Sequence, residues 1–350
     1  MVTVLFHGRR VLPLRCRNFL VGHLHHNHLC TFDNLKSQYR PKHVVVSASN
    51  TQVPTTALVK MKIGEDDKSW TNLTSFACPI CYNPFQNIPN DRSSSAHSAS
   101  LECNTCKKSY KGNGTYLDLI VTSGSEEYTE SVPPSTELFR TPLVSFLYER
   151  GWRQNFIIGG FPGPEKEFEM AKDYLKPTFG GTIVDASCGS GLFSRMFSKS
   201  KLYKAVVALD FSENMLRQCD EFVKKEGVST ESLILVRADI CRLPFASTSV
   251  DAVHAGAALH CWPSPSSSVA EISRILRPGG VFVATTFIAD GVYSNLPFLS
   301  LARQVFHGIT KSRIFLSESE LEDLCKTCGL VDYSCARNGP FVMISATKPH

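Results

Sequence analysis

Between Gly181 and Phe287, short apolar runs alternate with segments of helical periodicity, and that alternation limits the chain to few architectures. The runs GTIVDAS, KAVVALD, LILVRAD, VDAVHAG and GVFVATTF are almost continuously apolar, as strands covered on both faces are. GLFSRMFSKS, SENMLRQCDEFVKKEG and SSSVAEISRIL carry apolar residues at helical spacing. The pattern predicts an α/β fold built from βαβ units, with a mostly parallel sheet and helices on both faces. Helices are also expected through TELFRTPLVSFLYERGW, through EKEFEMAKDYL after Pro164, over Leu296–His307 and in SESELEDLCKTC. LVDYSCAR and FVMISATK read as two closing antiparallel strands, and LRPGG as a sharp turn between helix and strand.

The first strand ends in Asp185-Ala186-Ser187-Cys188-Gly189-Ser190-Gly191 and a helix follows at once. Gly189 and Gly191 let the backbone turn tightly and approach a ligand closely. Asp210 ends the next strand, where a carboxylate can accept both ribose hydroxyls of an adenosine, with Phe211 beside it. These features fit NAD as well as S-adenosylmethionine. Two details favour the latter. Asp185 sits at the mouth of the loop, where a pyrophosphate would meet it at a cost of roughly 4 kcal/mol per charge pair. Ser194 stands where the third glycine of the dinucleotide fingerprint would be. Asp239 and Ile240 follow the third strand, the acid suited to an adenine amino group and the isoleucine to the ring face.

VDASCGSG, ALDFSENML, ADICRLPF and EISRILRPGG, in this order, resemble the successive motifs of class I S-adenosylmethionine-dependent methyltransferases, nearest the small-molecule and quinone-type branch. The likeness covers about residues 180–285. With SFLYERGWRQNF included, it extends to uncharacterised plastid methyltransferases of plants over nearly the whole chain. It implies a Rossmann-like, seven-stranded catalytic domain over 135–350. It also implies that Asp185, Gly189, Gly191, Asp210, Asp239 and Ile240 line the cofactor site, with Trp152, Arg153 and Gln154 capping it. One departure is Ser187, where many relatives have a glycine.

Methyl transfer needs a base only when the acceptor must lose a proton. His260, just past the fourth strand at the carboxyl end of the sheet, is the candidate; His254, inside that strand, reads as a core histidine. Trp262 could wall an aromatic acceptor or simply be buried. The segment Ala255–His260 is small and apolar and lacks the Asn-Pro-Pro-Tyr pattern of enzymes that methylate planar amino nitrogens.

Upstream, Cys78-x2-Cys81 and Cys103-x2-Cys106 are separated by 21 residues, a spacing that suits one tetrahedral zinc. The unit, residues 73–120, resembles the zinc ribbon preceding some bacterial ribosomal guanine methyltransferases, its YLDLI exit included. Asp91–Ser100 is Ser-rich and reads as a surface loop; residues 121–134 read as a linker. Lys107, Lys108 and Lys111 form a basic turn, and Cys325-x2-Cys328 has no second pair and reads as structural.

Residues 1–62 hold nine Lys or Arg against one acid, net +8, while the remainder holds 28 against 31, net −3. Arg-rich and acid-poor, the N-terminus reads as a transit peptide or disordered leader, for a chloroplast before a mitochondrion. The slightly acidic remainder argues against a polyanionic partner. The expected partner is therefore a small lipophilic acceptor, with an RNA base, reached through the ribbon, as the alternative. No apolar run is long enough to span a membrane, and peripheral association with lipid, as on plastoglobules, stays open.

Overall fold

The computed structural model describes residues 75–85, 96–128, 156–157, 160–288 and 315–350. The expected leader, the helix ending near Trp152 with Arg153 and Gln154, and the helix over Leu296–His307 lie outside them.

The sheet forms where the apolar runs predict. Strands β4 (Thr182–Ala186), β5 (Ala205–Asp210), β6 (Leu233–Arg237), β7 (Val250–Ala255) and β8 (Leu276–Phe287) are followed by β9 (Val331–Asn338) and β10 (Phe341–Thr347). Every position of β4 and β7 is buried, as double coverage requires. Helices α1 (Pro164–Leu175), α2 (Leu192–Ser200), α3 (Glu213–Lys225), α4 (Pro265–Ile275) and α5 (Glu318–Thr327) join them. Pro164 takes the first turn of α1. Ser212 and Ser264 cap α3 and α4 through their hydroxyls, and Ser317 with Glu320 forms a capping box on α5.

Among the described residues the strand order is β3 (Leu117–Asp118), β6, β5, β4, β7, β8, β10, β9, eight strands rather than the seven expected. The extra one, β3, belongs to the cysteine unit and pairs in parallel with Val236 and Arg237 of β6. Only β10 runs against the others, between β8 and β9. The seven-strand class I methyltransferase sheet is thus present, with one edge extended.

The cysteine unit contributes β1 (Ser100–Glu102) and β2 (Ser109–Lys111) as a small antiparallel pair. Its apolar residues Phe76, Phe85, Leu101 and Tyr110 share one core with Val207, Ile234 and Phe245. Phe76 stacks on Phe245 at 4.9 Å, an arrangement worth about 0.5–1.5 kcal/mol beyond its buried area.

Three local expectations change. The end of the Ser-rich segment is not a free loop: Ala96–Ser98 is a 3-10 turn with His97 buried. Residues 121–128 turn back on the unit, and Lys108 Nζ donates to the Ser123 carbonyl at 2.6 Å, which occupies one lysine of the basic turn. LRPGG is absorbed into the start of β8 as a register shift opposite Val250–Ala252. Among the described residues, no helix is long and apolar enough to cross a membrane.

Candidate cofactor, acceptor and metal sites

The glycine loop links β4 to α2 at the carboxyl end of the sheet. Gly189 and Gly191 take φ values of 57° and 80°. A Cβ on Gly191 would lie 2.1 Å from Cys219 Sγ on α3, so this glycine is required by packing as well as by conformation. Ser187 also takes positive φ, 58°. A glycine there would meet this backbone demand without strain. Here the strained serine is held by its hydroxyl, which accepts from Trp262 Nε1 at 3.0 Å.

Asp210 is fixed at the end of β5. Oδ2 accepts from Gly189 N at 2.9 Å and Oδ1 from Ser212 N at 2.8 Å. Burial pushes its carboxyl up to about 6, the N–H groups of Ser212 and Gly189 oppose this, and the charge of Asp185 adds to it. Phe211 follows, partly covered, with Arg237 over its ring at 5.8 Å.

Asp185 differs from expectation. Its carboxylate is buried beneath the loop and engaged at both oxygens: Oδ1 with His254 Nδ1 at 2.8 Å, Oδ2 with the Ser194 hydroxyl at 2.5 Å. It ties β4, β7 and α2 together and can act on a ligand only through its field. That field still opposes a phosphate at the start of α2 and favours a cation. His254 is the buried core histidine expected, packed edge-on against Phe193 and Phe197.

Asp239 caps its own turn, Oδ1 accepting from Cys241 N at 2.8 Å, and Ile240 is buried beside it. Gly189, Asp210, Phe211, Asp239 and Ile240 therefore lie at the carboxyl ends of the adjacent strands β4, β5 and β6 or just beyond them. Two acids, Asp185 and Asp210, flank the loop. These acceptors suit adenosine hydroxyls and a positively charged remainder.

On the other side of β4, past β7 and β8, the surroundings turn aromatic. His260 is buried in a 3-10 turn, Leu259–Cys261, with Nδ1 3.1 Å from Thr286 Oγ1. Its ring lies 5.4 Å from Phe287 and stacks on Phe315 at 5.9 Å. Phe161 meets Phe156, Phe287 and Phe341 within 5.2 Å.

The four cysteine sulfurs lie within 4.8 Å of one another, with Cys78–Cys106 at 3.5 Å and Cys81–Cys103 at 3.3 Å. Sulfurs at ~2.3 Å from one tetrahedral ion would be ~3.8 Å apart, so the set fits zinc. The two knuckles repeat one geometry. Tyr82 N donates to Cys78 O and Lys107 N to Cys103 O, both at 2.8 Å, and Tyr82 and Lys107 share positive φ.

A family model described as a methyltransferase domain matches residues 184–284. An uncharacterized chloroplastic methyltransferase of Arabidopsis thaliana is 66% identical over 296 residues, 83% of each chain. The chain belongs to this methyltransferase family. It is an S-adenosylmethionine-dependent methyltransferase. A second chloroplastic methyltransferase of that plant is 51% identical over 279 residues, 78% of each chain. A demethylmenaquinone methyltransferase of Desulfitobacterium hafniense is 27% identical over 228 residues, 59% of this chain and 83% of that one. Both plant relatives are named chloroplastic.

Three residues of the methyltransferase escape the sequence reading. His97 Nε2 accepts from Leu235 N at 2.9 Å, standing in for a strand partner on β6. Arg242 binds the cysteine unit, donating to the carbonyls of Pro79 and Ile80. Buried Glu167 of α1 accepts from Thr285 Oγ1 at 2.7 Å, and that oxygen accepts from Ala257 N at 2.8 Å. This chain holds Ala257 at φ 53° and so aims the turn carrying His260. The one available signal was a glutamate on the apolar face of α1.

Proposed function

We propose that this methyltransferase acts on a small, largely apolar acceptor in the plastid, at a hydroxyl or an activated carbon. The observation that carries this reading is the aromatic environment of His260, which packs on Phe287 and Phe315, with Phe156 and Phe161 against Phe287 in turn. Such surroundings favour an apolar ring or chain over a polyanion. Relatives named for their acceptors include the demethylmenaquinone methyltransferase above and a sterol 24-C-methyltransferase of Gibberella zeae, 32% identical over 161 residues.

S-adenosylmethionine, when bound, supplies a methyl group activated by its sulfonium. This chain's own work is then positioning and exclusion of water. Asp210 accepts the ribose hydroxyls, Ile240 covers the adenine face and Asp239 takes its amino group. His260 serves an acceptor that must lose a proton. Its Nδ1 lies 3.1 Å from the Thr286 hydroxyl, which orients the ring. Cys78, Cys81, Cys103 and Cys106 would hold a zinc ion, which would organise the ribbon.

Methyl-labelled S-adenosylmethionine incubated with the full chain and separate lipid and RNA extracts tests the reading. Label is expected in a lipid-soluble product, with His260→Gln lowering turnover. Label in RNA with none in lipid would overturn it. Elemental analysis of protein purified without chelator is expected to find one zinc per chain.

A further inference from the structure

Three arginines, Arg242, Arg274 and Arg237, link the cysteine unit to the loops that follow β5 and β6. Arg242 lies three residues after Asp239, whose carbonyl accepts its N–H at 2.9 Å. Its guanidinium donates to Pro79 O and, at 2.7 Å, to Ile80 O, the two carbonyls between the first pair of cysteines. Tyr82, next to Cys81, lies 5.2 Å from the Arg242 guanidinium and 4.1 Å from that of Arg274. Arg274 in turn donates to the carbonyls of Leu243 and Phe245, which continue the same loop. From the other side, Asp118 of β3 pairs with Arg237 at 3.0 Å, and Arg237 reaches Glu213 and the carbonyl of Phe211.

We propose that the four-cysteine unit is a brace for the adenosine half of the cofactor site, with Arg242 as its positioning residue. A metal held by the four thiolates would fix the Pro79–Ile80 carbonyls; these orient Arg242, and Arg242 holds the Asp239–Ile240 turn. The unit then contributes to cofactor affinity without touching cofactor. A ribbon serving only as an RNA-binding appendage would need no such contacts behind the cofactor loops. The inference rests on the cofactor reading of Asp239 and Ile240, and the test separates the two.

The full chain is compared with Arg242→Met, Arg242→Lys, Asp239→Ala and Arg277→Met. The last removes an ion pair with Asp251 at the opposite end of the sheet. S-adenosylmethionine and S-adenosylhomocysteine affinities are measured by calorimetry, together with Tm and metal per chain. Arg242→Met is expected to keep its metal and bind both ligands about tenfold more weakly, the effect of losing hydrogen bonds from a charged group. Arg242→Lys, which can still donate to one carbonyl, is expected to recover part of the loss. Arg277→Met is expected to leave affinity unchanged whatever its Tm. Unchanged affinity in Arg242→Met, with Asp239→Ala weakened, overturns the brace alone. Unchanged affinity in Asp239→Ala overturns the cofactor reading of the turn and the brace with it. A loss in Arg242→Met that Arg277→Met matches also overturns the brace.

Discussion

The Ser187 hydroxyl accepts a 3.0 Å hydrogen bond from the indole of Trp262, and this contact anchors a serine in a conformation that favours glycine. The left-handed backbone costs a side-chain-bearing residue roughly 1–2 kcal/mol. Ser187→Ala keeps that cost and leaves the buried indole N–H without its acceptor, so we expect a loss of about 1–2 kcal/mol. Ser187→Gly loses the same bond but relieves the strain, and should be more stable than the alanine variant by about 1 kcal/mol. Urea unfolding of both variants decides it; equal losses would mean that the backbone at Ser187 carries no strain that glycine relieves.

Gly191→Ala should cost about 2–4 kcal/mol, because overpacking adds to the unfavourable φ. The obstructing atom is Cys219 Sγ, so Cys219→Ala in the same chain should restore part of the loss. Strict additivity of the two substitutions in thermal unfolding would show that the clash is not the cause.

Asp210 titrates near 6 in the folded chain, above the 3.8 of a free side chain. A raised folded value means that the folded chain takes the proton more readily. This group's contribution to stability is therefore full below about pH 4 and is lost as pH rises through about 6. Cofactor binding should run the other way, since ribose hydroxyls are best accepted by the charged form. We expect affinity for S-adenosylmethionine to be about tenfold weaker at pH 5 than at pH 7.5. Asp210→Ala should weaken binding by about 1.5–3 kcal/mol at pH 7.5 and flatten the profile. Calorimetry across pH measures both, and a variant that binds as the parent does would remove Asp210 from the site.

His97 provides a second titration with the opposite slope. Burial lowers its pKa from 6.5 to about 4, with Asp220 opposing and Lys224 adding to the shift. The folded chain refuses a proton that the unfolded chain accepts, so stability falls as pH drops from 6.5 toward 4, by up to about 1.4 kcal/mol per pH unit. His97→Gln keeps an acceptor for Leu235 N without a titrating group. It should remove this slope from a plot of urea midpoint against pH; an unchanged slope would place the acid sensitivity elsewhere.

How much of this was legible follows from distance along the chain. The strand, loop and helix from Ile183 to Ser200 could be read because periodicity and glycine placement are local properties. Asp210 could be located because the end of β5 was visible in the apolar run. Asp185 was placed correctly in sequence but not in depth, since its partners His254 and Ser194 sit on other elements. His97, Arg242 and the pairing of Leu117–Asp118 had no local signature. Each has meaning only once the cysteine unit is docked on β6 and its following loop. The spacing of the cysteines predicted a metal cluster and was silent on where the cluster would sit.

The two-residue strand β3 and the imidazole of His97 together cover the side of β6 that faces away from β5. Without them, Leu233–Val236 would offer unpaired backbone groups along a strongly apolar strand, a template for another chain. A catalytic domain cut free of residues 75–120 should therefore self-associate even where it folds. The cysteine unit, whatever else it does, keeps this sheet solitary.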